Sequence, residues 1–465
     1  MSFFNRFKDK NVTLLGAGVS NKPLIKMLAD AGAKVNVRDK KTIEQLGETG
    51  KALMEAGATF TVGEDYLSDI GGDYVFRSPG FRPDIEPLVA AKEKGSILTS
   101  EMEMFLANSP CPVIAITGSD GKSTTTTLTS KILEASGENC FLGGNIGEPL
   151  LHRIDNMKET DVVAAELSSF QLMTIDAEFD AAVIKNVTPN HLNWHTGMDE
   201  YIEAKARILR HCRRAVLNYD DEVCRGLAEG LKCEELYWFS RKLVPEEVLG
   251  ESVGAVYAHN GFIWVREPAS EAPEAVLEVS KILLPGEHNT ENYSTAIAAT
   301  WGRATKEAIV SVAENFGGVK HRLEFVREKD GVRYYNSSID SSPTRTAAAI
   351  SAFTTPIVVI CGGYDKNIPF EPLADALIAH GHVKCAVLTG ATMEKIEEAM
   401  KSHKDFEASG IKLICEKDFK AATLAAAEAA EAGDAVLLTP ACASFDAFEN
   451  FERRGEFFRD IIKEL

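Results

Sequence analysis

The stretch that most restricts the fold runs from residue 111 to residue 135. Cys111-Pro112-Val113-Ile114-Ala115-Ile116 is an apolar run that predicts a buried strand. Thr117-Gly118-Ser119-Asp120-Gly121-Lys122-Ser123-Thr124 follows, and 124–135 predicts a helix. Strand, glycine turn, Lys-Ser and helix start are the parts of a phosphate cradle. The glycines let backbone N–H groups approach phosphate oxygens, the helix start adds partial positive charge, Lys122 adds a full charge, and Ser123 can hold Mg²⁺. A general P-loop carries a further glycine where Ile116 stands, so this is the short form G-x-x-G-K-S. An ordinary strand–turn–helix junction is the plain alternative, but it does not need Gly, Gly, Lys and Ser at these places.

A chain of 465 residues has room for about three domains, each with its own core. No apolar run approaches the roughly 20 residues that span a bilayer. The N-terminus passes straight into a strand at 11–15, with no apolar leader and no cleavage site, so no signal peptide is expected. The nine cysteines are scattered without a Cys-x-x-Cys pair, which suits free thiols in a reducing cytoplasm. A net charge of −19 argues against nucleic acid and anionic membranes as partners. Anionic small molecules remain open, held by local cations and helix starts.

In residues 1–108, the strand 11–15, the turn Gly16-Ala17-Gly18-Val19-Ser20-Asn21, a helix over 23–31 and the strand 34–37 make a βαβ unit closed by Asp39. Asn21 stands where a dinucleotide fingerprint has its third glycine. The turn suits a dinucleotide, another nucleotide or a purely structural role. The strand 73–76 ends at Arg77-Ser78-Pro79-Gly80, and 99–106 predicts a helix leading to a boundary at Asn108-Ser109-Pro110.

Residues 109–317 continue with strands at 140–142, 161–165 and 181–187, separated by helical stretches, which predicts a mostly parallel sheet. The P-loop, Asn145, Glu166 and His191 then fall beyond the carboxyl ends of strands, where such sheets bind ligands. Glu166 is placed to ligate Mg²⁺ near the phosphates, although an acid ending a strand is often only solvated. Residues 199–212 predict a helix in which Lys205 completes the apolar stripe of Tyr201, Ile202, Ile208 and Leu209. Such a lysine either snorkels outward or, desolvated, becomes a neutral amine able to form a carbamate with CO₂. Asn289 and Asn292 precede an alanine-rich helix at 293–301 and either cap it or meet a ligand.

Residues 318–465 predict strands at 332–335, 356–361, 384–388 and 434–438, with helices at 391–401, 420–432 and 445–465. In the last helix, Phe448, Phe451 and Phe458 are expected to face the core, with Arg453-Arg454 on a solvated face.

Together these segments resemble the Mur ligases, the ATP-dependent amino-acid ligases of peptidoglycan assembly. The shared segments are Gly118-Ser119-Asp120-Gly121-Lys122-Ser123, Glu166-Leu167-Ser168-Ser169-Phe170-Gln171-Leu172, Asn186-Val187-Thr188-Pro189-Asn190-His191-Leu192, 201–205 and His288-Asn289-Thr290-Glu291-Asn292. Pro440-Ala441-Cys442-Ala443-Ser444-Phe445-Asp446 and Phe451-Glu452-Arg453-Arg454-Gly455 are similar to the signature of the D-glutamate-adding member.

The resemblance implies three α/β domains: a Rossmann-like UDP-substrate domain at 1–108, a central P-loop ATPase domain at 109–317 and a Rossmann-like amino-acid domain at 318–465. It implies a cytoplasmic, monomeric enzyme of cell-wall precursor synthesis, working on UDP-N-acetylmuramoyl-L-alanine, D-glutamate and ATP through an acyl phosphate. Lys122, Glu166, His191 and Lys205 are the implied catalytic set. Ser123 and Glu166 would hold one Mg²⁺, and His191 and carbamylated Lys205 a second. The P-loop from Gly118 to Thr124, with Asn289, Asn292 and Arg322, would bind ATP. Gly18, Val19, Ser20, Asp39, Ser78, Pro79, Gly80 and Asn145 would receive the UDP substrate. Lys366, Ser341, Ser444, Phe445 and Phe451 would receive D-glutamate. A hinge is expected at 318–322.

Two departures stand out. The family's Asn-Asp-Ser-Lys-Ala-Thr reads Asn336-Ser337-Ser338-Ile339-Asp340-Ser341, and Lys40 follows Asp39 where some members have Thr. Asp340 or Arg345 are the candidates to compensate for the missing acid at Ser337. The rival readings are a folylpolyglutamate-synthase-like ligase, an NAD-dependent dehydrogenase built on Gly16-Ala17-Gly18, and a nucleotide-binding protein without ligase chemistry.

Overall fold

The computed structural model describes residues 2–18, 20–270 and 272–465. Two compact units divide the chain: Met1–Val279 with Glu291–Val312, and Ser280–Thr290 with Ala313–Leu465.

The first unit holds two sheets. β1 (Asn11–Leu15), β2 (Lys34–Asp39), β3 (Thr59–Val62), β4 (Tyr74–Arg77) and β5 (Ile97–Thr99) pair in parallel in the order β3-β2-β1-β4-β5. The order reverses beside β1, so the turns after β1 and β4 share one crevice. The second sheet contains β6 (Val113–Thr117), β7 (Cys140–Gly144), β8 (Val162–Glu166), β9 (Phe179–Ile184), β10 (Cys212–Asn218), β11 (Glu235–Ser240), β12 (Val253–His259), β13 (Phe262–Arg266) and β14 (Glu274–Glu278). Its order is β14-β13-β12-β11-β10-β9-β6-β8-β7, and among the described residues only the β12–β13 and β13–β14 pairings are antiparallel. β6 and β8 are buried at every position, as parallel strands covered on both faces must be. β13 alternates between buried and partly exposed positions, in keeping with an antiparallel edge region. One apolar core runs through both sheets, from Phe4 and Phe7 to Trp238 and Tyr257.

The second unit carries β15 (Glu324–Lys329), β16 (Val332–Asn336), β17 (Ile357–Gly362), β18 (Val383–Thr389), β19 (Lys412–Cys415) and β20 (Ala435–Leu438). Their order is β15-β16-β20-β17-β18-β19, with β15 antiparallel to β16. Sequence patterning misses β15 and β19, which are partly exposed; β15 is also rich in charged residues, and β19 has only 4 residues.

Several boundaries differ from the sequence expectation. Thr99 ends β5, and the helix begins at Glu101 because Ser100 caps it by accepting from the Glu103 N–H. β9 stops at Ile184, which releases Lys185, Asn186 and Val187 into the loop. The helix Met198–Ala206 gives way to a tight turn at Arg207–Leu209, and Cys212 already belongs to β10. Residues 445–450 are not helical; the last helix is Phe451–Glu464, capped by Asn450.

Candidate active site

In the first unit the P-loop joins β6 to the helix Lys122–Ala135, with Gly121 left-handed at the junction (φ 76°). The Ser119 and Asp120 N–H groups donate to the Asn186 side-chain oxygen at 3.0 and 2.8 Å. The start of a helix, with its N–H groups and partial positive charge, is a place that suits an anion. Lys122 Nζ donates to the carbonyls of Gly118 and Ser119, both at 2.9 Å. Ser119 is a structural hub rather than a surface group. Its hydroxyl donates to the Thr188 carbonyl, accepts from the Thr188 N–H, and meets the Tyr201 hydroxyl, each at 2.9 Å. Ser123 and Thr124 are half-buried and the Asp120 side chain is exposed.

Glu166 ends β8 and is buried. The register of β7 against β8 sets Gly144 opposite Glu166, and a Cβ on Gly144 would lie 2.2 Å from the Glu166 carbonyl oxygen. Glycine is needed there, and it brings Asn145 alongside: Asn145 Nδ2 donates to Glu166 Oε1 at 2.8 Å. Among the described residues, Glu166 Oε2 is buried without a hydrogen-bond partner. A buried carboxylate oxygen in that state fits a cation, since desolvating it unpaired is costly.

Lys205 lies fully buried on the helix Met198–Ala206, which decides between the outward and the desolvated side chain that its apolar stripe left open. Its Nζ donates to the Gly118 carbonyl at 2.6 Å and stands 4.6 Å from the Tyr201 ring centre. Burial, helped by the charge of Lys122, lowers its ammonium to about 7. A neutral amine is thus accessible near neutrality, which is the state that forms a carbamate. His191 is left-handed (φ 55°) and packs edge-on to Phe170, with ring centres 4.9 Å apart. Burial, Lys122 and Lys205 all hold its imidazole below the ordinary value. Lys122 and Lys205 thus both bear electrostatically on His191, and Lys205 contacts the P-loop itself.

Asn289 and Asn292 sit in the first turns of the helix Glu287–Thr300 rather than ahead of it. Asn289 Nδ2 donates to the Pro285 carbonyl at 2.6 Å, and Asn292 Oδ1 accepts from Thr125 at 3.2 Å.

At the crevice of the first sheet, Asp39 accepts from the Ala17 N–H at 2.9 Å and so holds the glycine turn. Asn21 is buried, and its Nδ2 donates to the carbonyls of Leu15 and Gly16 at 3.1 and 3.0 Å and to Ser78 Oγ at 3.2 Å. The residue that replaces the third fingerprint glycine thus ties the turn after β1 to the turn after β4. Gly18, Ser20, Pro79 and Gly80 line these two turns, and Val19 lies outside the described residues.

In the second unit, β16, β20 and β17 are neighbours, so the loops after them emerge side by side. They carry Ser341, Ser444 with Phe445, and Lys366. Ser444 is buried, Ser341 half-buried, and Lys366 and Phe445 exposed. Phe451 stands edge-on to His321. Arg322 is exposed next to His321. Asp340 is buried, accepts from Thr439 at 3.0 Å, and is raised by burial to about 6 against the opposing pull of Ser337, Thr439, Arg322 and Arg345.

The sequence matches the Mur ligase middle domain over residues 116–300 and the Mur ligase glutamate ligase domain over 321–442. It is 42% identical to the UDP-N-acetylmuramoylalanine--D-glutamate ligase of Clostridium perfringens, over 99% of each chain. It is 44% identical to the enzyme of the same name from Ruminiclostridium cellulolyticum, over 98% of this chain and 97% of the relative. The chain belongs to the Mur ligase family. Its fold is that of the UDP-N-acetylmuramate-alanine ligase of Thermotoga maritima, with a TM-score of 0.56 at 17% identity, over 98% of this chain and 99% of the other.

For a Mur ligase of this sequence, the largest correction concerns Arg454. It is buried, not solvated like its exposed neighbour Arg453. Its guanidinium donates to Ser338 Oγ and to the carbonyls of Ser338, Ala443 and Cys442, at 2.9 to 3.0 Å. It therefore ties the loop after β16 to the loop after β20. Asn186 and Tyr201 were likewise outside the predicted set, although both hold the P-loop. A signal existed for Arg454, whose four-residue spacing from Phe458 puts it on the same helix face.

Proposed function

We infer that this Mur ligase joins the amine of D-glutamate to the lactyl-alanine carboxylate of UDP-N-acetylmuramoyl-L-alanine, with conversion of ATP to ADP and phosphate, in cytoplasmic peptidoglycan precursor synthesis. The end-to-end likeness to relatives of that name carries this conclusion. The P-loop, the buried Glu166 and the buried Lys205 support it.

A carboxylate cannot lose oxide to an attacking amine. Transfer of the γ-phosphoryl group of ATP to one carboxylate oxygen, with ADP leaving, makes an acyl phosphate. The free amine of D-glutamate then attacks the acyl carbon, and the tetrahedral adduct expels phosphate with that oxygen. Lys122 and the helix start at 122 would bind the triphosphate and offset its charge. Ser123 and Glu166 would hold Mg²⁺, and His191 with carbamylated Lys205 a second ion; such ions neutralise phosphate charge and orient the reacting oxygens. Lys366 would pair with a carboxylate of D-glutamate, flanked by Ser341, Ser444, Phe445 and Phe451. Asn289, Asn292 and Arg322 would contact the nucleotide. Gly18, Val19, Ser20, Asp39, Ser78, Pro79, Gly80 and Asn145 would receive the UDP substrate.

An isotope experiment tests the route. With ¹⁸O in the substrate carboxylate, one labelled oxygen is expected in each phosphate released; unlabelled phosphate would exclude the acyl phosphate.

A further inference from the structure

Directly beneath the P-loop lies a fully buried lysine. Lys185 is 1% exposed in its side chain, and its Nζ donates to Asn292 Oδ1 at 2.6 Å and pairs with Glu291 at 3.1 Å. Glu291 is 5% exposed and takes a second cation, Arg241, at 2.7 Å. The group touches the loop itself. A Cβ on Gly121 would lie 2.7 Å from Asn292 Oδ1 and 3.0 Å from Lys185 Cε. A lysine has donors only, so the Asn292 atom facing it must be the oxygen. Thr125 donates to the same oxygen at 3.2 Å. The carboxamide is thereby locked in one of its two orientations, with the Nδ2 end turned away from Lys185.

We propose that Lys185, braced by Glu291, is a positioning residue for the nucleotide: it fixes the Asn292 carboxamide so that its N–H end serves the nucleotide held at Gly121 and Lys122. The inference rests on ATP binding at the P-loop. It accounts for a cation that an apolar residue could otherwise replace at little cost in stability, as buried ion pairs generally allow.

Calorimetric titration of the full chain with ATP and Mg²⁺ tests it without relying on turnover. Lys185→Met should bind ATP about tenfold more weakly, the effect of one well-placed hydrogen bond. The paired change Lys185→Met with Glu291→Leu leaves no lone buried charge and should stay folded with the same tenfold loss. In an Asn292→Ala background, Lys185→Met should add less than about twofold. The KM for D-glutamate should not move. Wild-type affinity in either lysine variant overturns the inference alone, as does a full tenfold loss on top of Asn292→Ala. Absence of ATP binding by the unaltered chain overturns the nucleotide reading and this inference with it.

Discussion

Asn145 donates to one oxygen of Glu166, while the other oxygen of that carboxylate is buried without a hydrogen-bond partner among the described residues. The pair is set by strand register and by the lack of a Cβ at Gly144. Glu166→Gln keeps the shape and loses the charge. Its kcat should fall by on the order of a hundredfold, and more Mg²⁺ should be needed for half-maximal rate. Steady-state rates over a Mg²⁺ series check this; an unchanged Mg²⁺ requirement would remove Glu166 from the metal site.

Arg454 joins two loops of the second unit through four hydrogen bonds. Removing it strands buried carbonyls, so Arg454→Met should lose about 3 kcal/mol or more in urea unfolding. Arg454→Lys should keep more of the stability yet raise the KM for D-glutamate, because three donors cannot serve four acceptors in a planar fork. Wild-type stability in Arg454→Met would contradict the assigned role.

The P-loop and the strands nearest it were legible because apolar runs, glycines and helix starts are local signals, whereas β3, β5 and β10 to β14 were not predicted. Lys205 was only half legible, since its place in an apolar stripe left an outward and a buried side chain both open. Arg454, Lys185 and Asn21 were not. Each is a polar residue whose partners lie far along the chain: Ser338 for Arg454, Asn292 for Lys185 and Ser78 for Asn21. Spacing cannot name such partners; for Arg454 it shows only the helix face shared with Phe458, and a charged residue without partners would sit in solvent. β15 escaped because its interleaved charged residues leave no apolar run, and β19 because it is only 4 residues long.

Asn21 occupies the place of a fingerprint glycine and holds the turns after β1 and β4 together. Asn21→Gly would restore the motif and still weaken the site. Its KM for the UDP substrate should rise severalfold, with KM for ATP unchanged. An unchanged KM for the UDP substrate would make the amide merely structural.

Glu101 is buried and accepts from the Leu151 N–H at 2.7 Å. Burial raises its carboxyl from 4.5 to about 7. Between those two values the folded chain keeps a proton that the unfolded chain has released. Stability must therefore fall as pH rises through that window, by about 1.4 kcal/mol per pH unit at most. Glu101→Gln should be more stable than the wild type at pH 8, and the gap should close as pH drops toward 4.5. A gap independent of pH, read from urea midpoints, would refute the assignment.

Phosphate release is the most direct measurement of the central claim. The chain would be given ATP, Mg²⁺ and UDP-N-acetylmuramoyl-L-alanine with D-glutamate, L-glutamate, L-lysine or diaminopimelate. Release that requires both the UDP substrate and D-glutamate is the predicted result. Release with another amino acid in preference to D-glutamate, or with none of them, would contradict it.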